Sequence, residues 1–224
     1  TRGALYAVYH FLEDFCDIHW WSEFEDYVPT PSALELPALN KSGKPAFLYR
    51  DIYRTNYPAD KVQFAVRVRL NRSGDVPIPA AYGGSFNYGP PYHCHTFDRY
   101  VPTAEYLDSN PEFFSLVGGQ RVGGQTKGQL CLTNEALKPI FLNSLLEYIR
   151  QGEEKAKAEG VPAPRIYDVS QNDNRKYCEC DKCMAFVEKH EHSGLYLTFI
   201  NWLAGEVAKT HPQIYISTLA YHYS

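Results

Sequence analysis

Ser170-Gln171-Asn172-Asp173-Asn174 is followed closely by Cys178, Cys180 and Cys183. Polar groups and thiols therefore gather just beyond Arg165-Ile166-Tyr167-Asp168-Val169, a run rich in β-forming residues. In α/β folds the chemistry sits where a strand ends and its loop begins. Strand alternation puts Asp168, Ser170 and Asn172 on one face and Tyr167, Val169 and Gln171 on the other, with the polar face expected to point into the mouth of the site. Asp173, one residue past the strand, is the first candidate acid. Partial burial among amides that cannot neutralise it raises a carboxyl toward a working range for proton donation. The plain alternative is that Asp173 caps the following loop.

The thiols admit three readings. Cys178, Cys180 and Cys183 with Cys131, at the end of a neighbouring strand, have the makings of a structural zinc site with four thiolates. Two disulfides pinning the same loops in an oxidising compartment fit equally, and so do free buried thiols. No reading requires a cofactor for chemistry. Other strand ends supply Arg50 and Asp51, His93 and His95, Thr133 and Asn134, and Tyr221 and His222. Singly, each has a structural explanation, an ion pair or a packed histidine; together they are expected to converge on one rim.

The elements that position these groups follow from periodicity. Leu5, Val8, Leu12 and Phe15 mark one face of a helix over 3–15, and 17–21 reads as a short strand. The Pro-rich turn 29–32 leads to an extended piece over 33–39. Residues 1–40 read as the C-terminal part of an upstream α/β domain and its linker. From 41 to 224 a second rhythm runs: strand 46–53, helix 60–70, strand 92–97, a short helix over 102–107 and an extended piece over 113–116. Strand 129–132, a helix from Thr133 or Asn134 to about Arg150, strand 166–170, helix 194–210 and strand 214–221 complete it. Between 73 and 91 lies a long Gly-, Pro- and Tyr-rich loop of the kind that is functional rather than filler. Alternating strands and helices imply a parallel sheet, open or closed into a barrel. About five strands are too few for eight, so a barrel would be present only as its N-terminal part.

With 224 residues, 44% apolar and 21% charged, the chain can bury a substantial core. A net charge of -4 gives no electrostatic reason to bind nucleic acid or an anionic membrane surface. No run reaches the roughly 20 apolar residues that span a bilayer. The opening Thr1-Arg2-Gly3 lacks the basic start of a signal peptide, which reads as a mature or excised start. No P-loop or dinucleotide fingerprint follows any Gly-Gly pair. The 18 tyrosines and 3 tryptophans offer flat faces for stacking on sugars as well as for core packing.

Several segments in order resemble one known family: Gly3-Ala4-Leu5-Tyr6-Ala7-Val8-Tyr9, Tyr49-Arg50-Asp51-Ile52-Tyr53, His95-Thr96-Phe97, Pro111-Glu112-Phe113-Phe114, Gln129-Leu130-Cys131-Leu132-Thr133-Asn134, Ser170 to Asn174, Tyr177-Cys178-x-Cys180-x-x-Cys183 and Thr218-Leu219-Ala220-Tyr221. They are similar to domain of unknown function 4838, which is also known as glycoside hydrolase family 163. The resemblance implies an endo-β-N-acetylglucosaminidase acting on complex N-glycans. It also implies a (β/α)8 TIM barrel behind a small α/β domain, as in β-hexosaminidases and α-glucuronidases, and an exported protein, periplasmic or on the cell surface. By the same resemblance the 2-acetamido group of the substrate acts as nucleophile, an exception to the scheme of two carboxylates. Asp173 then protonates the leaving oxygen and Asn172 orients the acetamide. Arg50, His95, Asn134, Gln171 and Tyr221 would hold the sugar. The Asn-Asp pair departs from the Asp-Glu pair of related enzymes. A second carboxylate is expected further along the barrel, beyond Ser224. The other classes to weigh are a carbohydrate-binding module without catalysis and a structural domain braced by its thiols or a metal.

Overall fold

The computed structural model describes residues 2–52, 62–72 and 76–221. Two compact units divide the chain, Thr1–Phe86 and Asn87–Ser224.

In the first unit, helix α1 spans Arg2–Cys16. It stops at Asp17, whose backbone is left-handed with φ 54°, and the Ile18 N–H returns to the Leu12 carbonyl at 3.1 Å. That contact satisfies one of the helix's open carbonyls. Strands β1 (His19–Trp20) and β2 (Asp26–Tyr27) pair antiparallel. Helix α2 (Val62–Arg67) packs Val62 and Val66 with Ile78 into a small cluster against Tyr9, Val76 and Tyr82. The strand expected over 46–53 is not formed at 46–52. Tyr53, the first residues of the expected 60–70 helix and Ser73 lie outside the described residues.

The second unit holds the large core. Helices α3 (Phe97–Tyr100) and α4 (Thr103–Tyr106) are followed by a 3-10 turn at Pro111–Phe113. Strands β3 (Ser115–Val117) and β4 (Gln120–Val122) form an antiparallel hairpin. Gly118 and Gly119 close it with φ of 56° and 80°, the two positive values that a tight hairpin turn requires. Helix α5 (Leu137–Glu159) buries Leu137, Phe141, Leu145, Ile149, Gly152 and Ala156, one face at helical spacing. Strand β5 (Ile166–Asp168), helix α6 (Asp181–Ala208) and strand β6 (Tyr215–Ser217) follow. β5 and β6 are parallel neighbours, a pairing that requires a crossover such as the one that contains α6. Phe141 sits at the centre, 5.7 Å from the Phe97 ring, 4.7 Å from Tyr100 and 5.2 Å from Phe199.

Beyond the 46–53 strand, elements of the second unit also differ from their sequence-based expectations. The 92–97 segment is not a strand: Tyr92 and His95 have φ of 73° and 58°, far from extended values, and Phe97 already belongs to a helix. Residues 129–132 make only a single bridge, Leu130 to Phe114. Helix α5 continues to Glu159 through a Glu-, Lys- and Ala-rich stretch, composed of strong helix formers. Helix α6 begins at Asp181 and is broken at Glu191 (φ 60°, ψ 171°), so the expected 194–210 helix is its second half. Among the described residues the strands form three sheets of two strands each. None of the described helices is long and apolar enough to cross a membrane.

Candidate active site

The parallel pair sets the geometry. Ile166 lies opposite Tyr215, Tyr167 opposite Ile216 and Asp168 opposite Ser217, so both chains leave the sheet at the same edge. The Val169 N–H donates to the Ser217 carbonyl at 2.8 Å, and the Thr218 hydroxyl donates to the Val169 carbonyl at 2.7 Å. Past these ties the Tyr221 hydroxyl donates to Asp173 Oδ1 at 2.9 Å. Donating to that carboxylate holds the Tyr221 phenol above its ordinary value.

A third segment closes on the same edge. Ser170 receives it: its carbonyl accepts the N–H groups of Thr96 and Phe97, both at 3.0 Å, and its Oγ accepts the His95 N–H at 2.7 Å. His95 Nδ1 lies 2.8 Å from the Gln171 carbonyl. A carbonyl only accepts, so the ring proton belongs on Nδ1, and Nε2 faces Asp173 Oδ1 at 3.9 Å. The His95 and Tyr221 rings are 5.4 Å apart. Asp173, His95 and Tyr221, all expected at the rim, are thus brought together. The Asp173 side chain is 55% exposed and that of His95 21%, which leaves the carboxylate open to a ligand.

The residues flanking Asp173 are clamped. Gln129, buried, accepts the Asn172 N–H on Oε1 at 3.0 Å and donates from Nε2 to the carbonyls of Asn172 and Asn174, each at 2.8 Å. Asn174 donates its side-chain amide to the Gln125 carbonyl at 2.9 Å and the Gly128 carbonyl at 3.2 Å. Gln125 donates to the His95 carbonyl at 2.5 Å, joining the clamp to the histidine. Gln129 and Gln125 were not among the expected site residues. A glutamine opening the apolar run Leu130-Cys131-Leu132 is the only local trace of Gln129 in the sequence, and it does not reveal the distant groups that the side chain holds.

Beneath this edge lies a buried carboxyl. Asp168 Oδ2 accepts from the Ser170 hydroxyl at 2.5 Å and the Thr96 hydroxyl at 3.3 Å. Its Oδ1 is without a hydrogen-bond partner among the described residues and lies 4.0 Å from His93 Nε2. Burial raises this carboxyl above the ordinary aspartate value, against the pull of Ser170, His93 and Thr96. The neighbouring Cys94 thiol is also raised, by burial first and then by the Asp168 and Asp173 carboxylates, so it is held away from the nucleophilic thiolate.

The remaining expected residues are placed differently. Asn172 is buried with its amide engaged: Oδ1 accepts the Asp98 N–H at 3.1 Å, and Nδ2 donates to the carbonyls of Gly128 at 2.9 Å and Gly124 at 3.5 Å. Both faces of the 167–172 segment are buried, not the polar one alone. Gln171 is fully buried, and neither atom of its side-chain amide has a hydrogen-bond partner among the described residues; its backbone carbonyl is what meets His95. Asn134 forms a local turn at the start of α5, with Oδ1 accepting the Ala136 N–H at 2.9 Å and Nδ2 donating to the Glu112 carbonyl at 3.0 Å. Arg50 belongs to the first unit. There its guanidinium donates to the carbonyls of Arg69 at 2.8 Å and Phe47 at 2.6 Å and to the Tyr6 hydroxyl at 3.0 Å. His222 lies outside the described residues.

The four thiols also converge. The Sγ atoms of Cys131, Cys178, Cys180 and Cys183 all lie within 4.8 Å of one another. Cys131 Sγ stands 3.7 Å from Cys180 and 3.8 Å from Cys183, well beyond the ~2.05 Å of an S–S bond, so the expectation of two disulfides here is not met and all four cysteines are free of disulfides. Hydrogen bonds from Cys131 and Cys183 hold the Cys178 thiol well below its ordinary value. The same bond to Cys178 pushes Cys131 up to about 11.

Residues 20–224 match the family described as domain of unknown function (DUF4838). No curated protein and no solved structure matches the chain.

Proposed function

The chain belongs to the DUF4838 family, and from that membership we propose that it is the catalytic part of a glycoside hydrolase of the family 163 kind, a retaining endo-β-N-acetylglucosaminidase acting on complex N-glycans. The observation that carries this reading is the triad of Asp173, Tyr221 and His95 at the edge where β5 and β6 end, with Asp173 Oδ1 2.9 Å from the Tyr221 hydroxyl and 3.9 Å from His95 Nε2. We take the β5–α6–β6 unit as one repeat of a (β/α)8 barrel, in which such an edge forms the catalytic rim.

In this mechanism the carbonyl oxygen of the substrate's 2-acetamido group attacks the anomeric carbon as the glycosidic bond breaks, giving an oxazolinium ion. Asp173, protonated, gives its proton to the departing oxygen. Water then opens the oxazolinium ring, and the Asp173 carboxylate takes up the proton that this water releases, restoring the acid. Tyr221 keeps Asp173 oriented through the first step. His95, anchored by its Nδ1–H on the Gln171 carbonyl, presents the Nε2 lone pair to a sugar hydroxyl. Asn172 enters as a positioning residue: with its amide committed to Asp98, Gly128 and Gly124, it fixes the backbone from which Asp173 projects. The acetamide is left to be oriented by other groups.

Release of glycan from a glycoprotein bearing complex N-glycans, with a single N-acetylglucosamine left on the asparagine, is the direct test. Asp173→Asn is expected to lower that release by about 10²- to 10⁴-fold, the usual contribution of a general acid. Full activity in this variant would remove Asp173 from the mechanism. Glycan binding with no turnover by the wild-type protein would favour a carbohydrate-binding module.

A further inference from the structure

We propose that Cys131, Cys178, Cys180 and Cys183 bind a single zinc ion as a closed structural site that ties together the segments presenting Asp173. The site is independent of the reaction proposed above.

The spacing of the sulfurs is the first argument. Four ligands at a Zn–S distance of ~2.3 Å in a tetrahedron stand about 3.8 Å apart along each edge. The Cys131–Cys180 and Cys131–Cys183 separations are 3.7 and 3.8 Å, and no pair in the group exceeds 4.8 Å. This is room for one ion at the centre rather than for a polynuclear cluster. Four soft thiolates select zinc over calcium or magnesium, which demand oxygen ligands. With all four positions filled by protein the ion is structural, since a catalytic zinc keeps a position open.

The second argument is the shell around the sulfurs. Zinc with four thiolates carries a formal charge of -2, unfavourable in a buried place unless donors surround it. The donors are present. The Leu116 N–H points at Cys178 Sγ at 3.3 Å and the Arg121 guanidinium approaches the same sulfur at 3.7 Å. The Thr133 hydroxyl lies 3.1 Å from Cys183 Sγ. A cation and an amide N–H aimed at one sulfur are poor partners for a neutral thiol and good ones for a metal-bound thiolate. Cys131, Cys178 and Cys183 are buried, which keeps the ion from water.

The third argument is what the ion would join. Cys131 follows Gln129, whose amide holds Asn172 and Asn174. Cys178 ends the loop that carries Asp173, Cys180 is the residue that precedes α6, and Cys183 lies in its first turn. One ion thus fastens the clamp segment, the acid-bearing loop and the start of α6.

The test is metal analysis of the protein purified without chelator, by mass spectrometry and by thiol titration. The expected result is one zinc per chain, released in step with four of the six thiols. Cobalt loaded in place of zinc should give the intense absorption of tetrahedral cobalt–thiolate. Cys180→Ser, at the least buried of the four, is expected to fold and to retain zinc at least about tenfold less well. Cys16→Ser should keep its full complement. Absence of zinc from the wild-type protein in zinc-supplemented growth, iron in its place, or full retention by folded Cys180→Ser would each overturn the proposal.

Discussion

Gln129→Leu removes the clamp on either side of Asp173 while roughly filling the space of the side chain. Three backbone groups lose their partner: the Asn172 N–H, the Asn172 carbonyl and the Asn174 carbonyl. The two on Asn172 are buried, and each costs about 1–3 kcal/mol when left unsatisfied. The Asn174 carbonyl is partly exposed and recovers a water. Leucine also adds apolar burial, so the net loss belongs in the lower half of the summed range, about 2–4 kcal/mol. For a protein of this size that is a fall in melting temperature of roughly 5–15 °C. Urea unfolding measures the stability, and native-state hydrogen exchange reads the Asn172 amide directly. Its protection should fall by at least the global loss, because the perturbation is local to it. A variant within about 0.5 kcal/mol of wild type, with Asn172 exchange unchanged, would refute the reasoning that Gln129 holds this loop.

Two further outcomes concern packing and pH. A Cβ at Gly152 in α5 would lie 2.5 Å from Tyr167 Oη and 3.2 Å from Pro90 Cδ; Gly152→Ala therefore loses more to overpacking, about 1–3 kcal/mol, than the ~1 kcal/mol it gains in helix propensity. Tyr167→Phe removes the atom in the way, so a double-mutant cycle by thermal denaturation should show favourable coupling of about 1 kcal/mol or more, and strict additivity would count against it. For Asp168, the folded carboxyl is raised above its unfolded value by burial. The native state thus binds more protons than the unfolded state from just above pH ~3.9 up to the folded value, and this contribution to stability is lost as pH rises through that window. Asp168→Asn lacks the loss and places its amide nitrogen where Oδ1 has no partner among the described residues. Its stability relative to wild type should improve as pH rises from about 4 through the raised folded value, as read from urea midpoints. A constant difference across that range would contradict the buried carboxyl.

What could be read in advance followed the reach of each interaction. The helices α1 and α5 and the strand character of 166–168 and 215–217 are local signals, and they stand in the structure; the face of α1 expected from Leu5, Val8, Leu12 and Phe15 does not, since Val8 is 53% exposed and Tyr6 is the buried residue. The meeting of Asp173, His95 and Tyr221 was legible as strand-end logic, although His95 arrives on a turn rather than a strand. Segment 92–97 misled because Tyr, His, Cys and Thr favour extended structure; tertiary bonds to Ser170 and Gln171 impose its turn instead. Gln129 was out of reach because its partners lie more than forty residues away. The same is true of Asn172, whose type fits a binding role until its buried partners on Asp98 and Gly128 are seen.

The adjacent Asn172 and Asp173 then divide one task by burial. An exposed loop that must hold a carboxylate to a fraction of an ångström loses about 1–2 kcal/mol per residue in backbone entropy, and without compensation it would sample many positions. Here the compensation comes from residues on both sides of the acid. Asn172 and Asn174 supply hydrogen bonds inward, while Asp173 between them points outward, 55% exposed. An aspartate at 172 would offer only acceptors to the Gly128 and Gly124 carbonyls, so the amide is required there by the clamp itself. The choice of asparagine at 172 is therefore explained by the backbone that this position must hold. It follows that Asn172→Asp should damage loop order and stability as well as catalysis, whereas Asp173→Asn should leave both order and stability near wild type and remove the acid alone.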